Sequence, residues 1–150
     1  MSDETIVLTM TAKEVLVRLK EMDKHINSKI EQLEQLRTIA TSCTVSTEKE
    51  NVQSSGSQDK LGAIVAKIVD LQNEINASTD QFVNIRQAAK ELIFQIENEK
   101  EQNVMYDYYM LRLKLWQIAE EYDITYENCR YYLQKGQKTF EEKYNEKYRK

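Results

Sequence analysis

Apolar residues recur along the first part of the chain on alternating steps of three and four: Ala12, Val15, Leu19, Met22, Ile26, Leu33, Leu36 and Ala40. Lys29 interrupts this seam, and Ile30 beside it is placed to fill the gap. A heptad pattern held for roughly four repeats predicts a helix that lays its stripe against a partner helix. Thr11-Ala12-Lys13-Glu14 marks its start. In such a capping box the Thr11 hydroxyl accepts from the amide of residue 14, and Glu14 reaches back to the Thr11 amide. A second seam runs Leu61, Ile64, Ile68, Leu71, Ile75, Ser78, Phe82, Ile85, Ala89, Leu92 and Ile96, with only Ser78 out of character. It predicts a helix over about 58–98, some 60 Å long at ~1.5 Å per residue. The first helix, near 30 residues, would cover only part of it. The two are expected to fold into an antiparallel hairpin, and the uncovered seam leaves room for self-association.

Between the seams, residues 41–57 are rich in Ser, Thr, Gln and Glu and predict a loop. Its end offers Ser55 or Ser57 as a cap for the next helix, or residues 54–57 as a small anion-binding nest. A polar stretch over 98–103 predicts that the second helix frays or bends there. A shorter helix follows, carrying Val104, Met105, Tyr108, Leu111 and Leu113. The composition changes at this point: all nine tyrosines and the single tryptophan, Trp116, lie beyond residue 105. At helical spacing aromatic residues fill a small core more often than they stack on bases. Tyr126 and Tyr131 are the expected exceptions.

The absence of proline and the presence of only three glycines exclude a sandwich or barrel, which needs a turn every ~8–12 residues. No run approaches the ~18 apolar residues of a membrane span. Asp3 and Glu4 stand where a signal peptide would be positive, so a cytoplasmic location is expected, with no membrane partner. One histidine, His25, and two distant cysteines, Cys43 and Cys129, supply neither a metal site nor an activated nucleophile. The cysteines are expected as free thiols. Carboxylates alternate with lysines as on solvated helix faces. The chain is therefore read as no enzyme, with no cofactor, metal or catalytic residue.

A net charge of −4 argues at first against a nucleic-acid partner. Its distribution weakens the objection. Residues 1–100 hold 12 basic and 16 acidic side chains, whereas residues 126–150 hold seven basic and four acidic ones. Local field steers a charged partner more than total charge does.

The positive excess coincides with a distinctive pattern. A short helix from about Trp116 to Tyr122 places Ile118, Ala119 and Tyr122 on one face, with Ala119 small enough for another helix to cross closely. Asp123 falls in a turn that calls for a left-handed backbone. Ile124 then points inward, and Thr125 caps a helix starting at Tyr126. Over 126–140, Cys129, Leu133, Gly136 and Phe140 form an inner stripe. Thr125, Tyr126, Asn128, Arg130, Tyr131, Gln134, Lys135 and Lys138 are left outside with Glu127, which can favour the helix N-terminus or read a cytosine amino group. The layout is that of a helix-turn-helix.

Trp116-x-Ile118-Ala119-Glu120, then Ile124-Thr125, then a helix ending in basic residues, resembles the region-four-type helix-turn-helix of sigma factors. The segments 52–60 and 65–71 resemble small phage and prophage regulators of Gram-positive bacteria, of the late-transcription-activator type. The likeness covers roughly residues 11–140 and implies a bacterial host cell. It departs from such motifs in having Asp123 where the turn usually carries Gly, and in the placement of Glu127 at the front of the second helix.

The expected architecture is thus all-α: a disordered or extended N-terminus over 1–10, a coiled-coil stem over 11–98 with its loop at 41–57, and a helix-turn-helix domain over 102–150. The expected function is sequence-specific binding of double-stranded DNA by a phage-type transcriptional regulator. Asn128 and Arg130 would read bases, while Thr125, Lys135 and Lys138 grip phosphate. The stem would serve homo-oligomerisation or contact with RNA polymerase. The alternative is a coiled-coil adaptor or phage assembly protein that meets only protein partners.

Overall fold

The structure, a computed structural model, describes the backbone of residues 9–49 and 55–149, and their side chains outside 44–57. The described chain is all-helical and contains no strand. Its helices are α1 (Ala12–Lys49), α2 (Ser55–Phe94), α3 (Glu99–Tyr109), α4 (Leu115–Glu121) and α5 (Tyr126–Tyr148). Among the described residues no helix is long and apolar enough to cross a membrane.

The capping box forms as the sequence dictates. The Thr11 amide donates to Glu14 Oε2 at 3.1 Å, and the Glu14 amide donates to Thr11 Oγ1 at 3.2 Å. The helix then continues to Lys49, well into the segment expected as a loop. Hydroxyl side chains are compatible with helix here because they turn back on it. Thr38 Oγ1 donates to the Glu34 carbonyl at 3.0 Å, and Thr41 Oγ1 to the Arg37 carbonyl at 2.9 Å. The expected roles of Ser55, Ser57 and the 54–57 nest fall on side chains outside the described residues.

Two further boundaries shift. The second helix ends at Phe94 rather than near residue 98, and 99–103, expected to fray, opens α3. Asn98 is its N-cap, with Oδ1 accepting from the Glu101 amide at 3.1 Å. The Gln102 side chain closes the break, donating to the carbonyls of Phe94 and Ile96. Asn98-x-x-Glu101 is itself a capping signature, so this start was written in the sequence.

The chain divides into two compact units, Asp23–Asp80 and the combination of Met1–Met22 with Gln81–Lys150. In the first, Ile26, Leu33 and Ile75 are buried, with Leu36, Ile64, Ile68 and Leu71 half-buried along the expected seams. The two polar intruders meet each other. Lys29 Nζ donates to Ser78 Oγ at 3.5 Å and pairs with Glu74 at 3.6 Å, while Arg37 donates to Gln72 at 3.4 Å. Ile30, expected to fill the gap, is instead exposed, because Lys29 keeps its seam position by finding polar partners.

The second unit does not respect the expected border between a stem ending at 98 and a domain starting at 102. Val15, Leu16, Leu19, Ile85, Leu92, Ile93 and Ile96 share one core with Val104, Met105, Ile118, Cys129, Phe140 and Tyr144. The N-terminal turns of α1 and the last turns of α2 therefore belong to the same packed body as α3, α4 and α5. Of the N-terminus expected to be disordered or extended, residues 1–8 lie outside the described residues, and Met10 is buried. The Tyr144 hydroxyl donates to the Met10 carbonyl and holds it there.

Candidate nucleic-acid interface

α4 begins after Lys114, whose amide donates to the Gln117 side chain at 2.9 Å. Its inner face is Ile118 and Ala119, both buried. Tyr122, expected on that face, is the C-cap and is 39% exposed. Asp123 then takes φ = 52°, the left-handed conformation expected of the turn. This lets the Ile124 amide return to the Ala119 carbonyl at 3.0 Å, which satisfies an end carbonyl of α4. Thr125 is extended and caps α5, its Oγ1 accepting from the Asn128 amide at 3.1 Å.

α5 has the expected inner stripe of Cys129, Leu133, Gly136 and Phe140, prolonged by Tyr144 to a helix ending at Tyr148 rather than near 140. Gly136 sits where α5 crosses α3. A Cβ there would overlap the Met105 side chain and stand 3.3 Å from the Glu101 carbonyl oxygen. Only glycine permits this approach.

The eight expected site residues, Thr125, Tyr126, Asn128, Arg130, Tyr131, Gln134, Lys135 and Lys138, are all exposed. They do not form one set. At ~100° per residue, Arg130, Gln134, Lys138, Tyr131 and Lys135 follow one another around the outer face of α5. Asn128, two positions from Arg130, lies on the opposite flank. Arg130 therefore has Gln134 as its neighbour and not Asn128. Lys135 Nζ lies 5.6 Å from the centre of the Tyr131 ring, so the two act as a pair.

Asp107 was not singled out from the sequence. It is buried at 5% exposure behind α4 and α5, and its Oδ2 has no hydrogen-bond partner among the described residues. The Tyr122 phenol is electrostatically coupled to this carboxylate. Burial first, and then the Asp107 carboxylate, push the Tyr122 phenol well above the usual tyrosine range. Burial, with Asp107 second, also pushes the Cys129 thiol up. The signal was Asp107's place three residues after Val104, on the same inner helix face. Among the described residues no group of His, Cys, Asp or Glu is arranged to hold a metal ion.

A family model described as "Protein of unknown function (DUF1492)" matches residues 40–142. The chain belongs to that family. The DUF1492 match takes in the full outer face of α5 from Tyr126 to Lys138, together with α3, α4 and the Asp123 turn. No curated protein and no solved structure matches the sequence.

Proposed function

We propose that the chain is a sequence-specific, double-stranded-DNA-binding transcriptional regulator of phage or prophage type, in which α4, the Asp123 turn and α5 act as a sigma-like helix-turn-helix. The observation that carries this reading is the division of α5 into two faces. One is packed to the point that only Gly136 fits, and the other is exposed and lined by Arg130, Tyr131, Gln134, Lys135 and Lys138. A rigidly backed helix with polar and basic groups outward is what a major groove accepts. The resemblance of residues 116–125 to sigma region four supports it.

In this reading Arg130 and Gln134 address base edges. Lys135 and Lys138 address phosphates, and Tyr126, Asn128 and the Thr125 end of α5 flank them. The seams of α1 and α2 form an antiparallel hairpin stem that serves self-association or contact with RNA polymerase. A second reading, a coiled-coil adaptor without DNA, is favoured by one observation: Val65 and Val69, on successive turns of α2, are both about half exposed.

The test starts with enrichment of a duplex from a random pool, followed by anisotropy titrations at two salt concentrations. Wild-type affinity should fall steeply with salt. Arg130→Ala should weaken the enriched duplex by roughly 1–3 kcal/mol and a scrambled one much less. Lys138→Ala should weaken both alike and lower the salt slope by about one unit. If no duplex binds at low salt, or neither variant alters binding, α5 is not a reading helix and the adaptor takes its place.

A further inference from the structure

A cavity of about 510 Å³ opens between the first turns of α1, the end of α3 and the middle of α5. That is within the range of small-ligand sites, about 300–1,000 Å³. Lys13 and Lys20 line it from α1, Tyr108 and Tyr109 from α3, and Gln137 and Lys138 from α5. Its two acidic side chains, Glu21 and Glu141, are exposed to solvent, as are Lys13 and Lys138.

Lys20 differs from these because it is half-buried. Its Nζ stands 3.3 Å from the centre of the Tyr108 ring and 5.7 Å from that of Tyr109. The Arg112 guanidinium is close at hand, donating to the Lys20 carbonyl at 3.1 Å. Arg112 holds φ = 59°, a backbone conformation that non-glycine residues adopt rarely. Burial, and Arg112 second, pull the Lys20 amine down to about 8. A ring face compensates a buried ammonium only in part. A full negative charge arriving from outside would complete the compensation and accept hydrogen bonds from the ammonium.

We propose that this cavity is a phosphate-binding site in which Lys20 meets the anion, with Lys13 and Lys138 beside it. The ligand class is a phosphate ester, and two sources offer one: a free phosphorylated small molecule, or the backbone of DNA lying along α5. Lys138 belongs to both surfaces. The DNA source rests on the function proposed above, whereas the small-molecule source does not.

The experiment titrates the full chain with ADP, with adenosine as the phosphate-free control, and with a random-sequence duplex. If the source is a free phosphorylated molecule, ADP binds and adenosine does not. Lys20→Gln then weakens ADP by at least about tenfold, Lys13→Gln weakens it less, and Lys60→Gln leaves it unchanged. Affinity also falls between about pH 7 and pH 10 as Lys20 loses its proton. If the source is DNA, Lys20→Gln weakens the duplex by a similar factor whatever its sequence, and added ADP competes with it. Circular dichroism confirms that each variant is folded, and Lys13→Gln, a change at an exposed position, carries the test should Lys20→Gln unfold. Binding of ADP and duplex that is indifferent to both substitutions overturns the proposal, as does a wild type that binds neither. A chain that ignores duplex but binds ADP through Lys20 keeps the site and removes only the DNA reading.

Discussion

Replacing Gly136 by alanine sets two effects of known sign against each other. In an exposed helix interior the change stabilises by about 1 kcal/mol, because glycine loses more backbone freedom on folding. At Gly136 the new methyl overlaps Met105 Cγ, comes within 3.0 Å of its Sδ, and presses on the Glu101 carbonyl of α3 at 3.3 Å. Met105 has no exposed surface, so its thioether has nowhere to swing, and the carbonyl is fixed by the α3 backbone. Overpacking of this kind costs roughly 1–3 kcal/mol. With a backbone atom among the obstacles the cost belongs in the upper part of that range, leaving a net loss of about 1–2 kcal/mol after the propensity gain. Urea unfolding followed by circular dichroism measures it. Met105→Ala removes the obstructing Cγ and Sδ atoms and by itself costs about 2–5 kcal/mol. Combined with Gly136→Ala it should be less damaging than the two single effects imply, with a coupling of about 1 kcal/mol or more. A Gly136→Ala chain more stable than wild type by the full propensity gain would show that α5 does not rest on α3 at this point.

Asp123→Gly should be neutral or mildly stabilising, whereas Asp123→Val should cost about 1–2 kcal/mol at φ = 52°; thermal melts that coincide would refute the left-handed turn. Lys20 gives a pH signature. Below pH 8 both folded and unfolded chains carry its proton and the fold bears the desolvation cost, whereas between about 8 and 10.5 the folded chain releases the proton first. Wild type should therefore gain on Lys20→Met as pH rises through that window, by about 1 kcal/mol once solvent screening of a half-exposed group is allowed for, and a constant difference would refute it. Lys29→Leu with Ser78→Leu should raise the unfolding midpoint by replacing a polar pair with apolar contact, while broadening the set of registers seen in cross-linking. A lower midpoint would mean that the pair stabilises the seam outright.

The parts of the fold that were legible in advance are those governed by neighbours within about four residues. Thr11 and Thr125 cap, and Asp123 turns left-handed, because each answers a local shortage of hydrogen bonds or of backbone room. The buried stripe of α5 followed from its spacing for the same reason. What escaped depends on distant residues. Nothing near Lys29 announces that Ser78, 49 positions away, will be its partner. Nothing near Lys20 announces the Tyr108 ring beneath it. Leu92 and Ile96 continue a heptad pattern without interruption yet share a core with Val104 and Phe140, because periodicity does not say which body a helix is packed into. The bounds of the loop expected over 41–57 failed differently: 50–54 lie outside the described residues, but 41–49 are helical, since composition rich in hydroxyl residues also suits a helix whose side chains bond back to the preceding turn. At the candidate interface, sequence found the exposed residues but grouped Asn128 with Arg130. Their separation along the helix was enough to part them.

The bond from Tyr144 to the Met10 carbonyl joins residues 134 positions apart. A ribosome makes Met10 early and Tyr144 only some 134 residues later, so the first turn of α1 waits for its last neighbour throughout synthesis. Closing so long a loop is entropically slow. Val15, Leu19 and the others of that core should remain open to chaperones until α5 has emerged. A nascent chain arrested before residue 126 would hold the Asp23–Asp80 unit complete and the other unit without its keystone. Proteolysis should therefore cut arrested chains near residues 10–22 and stop cutting there once α5 is free of the ribosome.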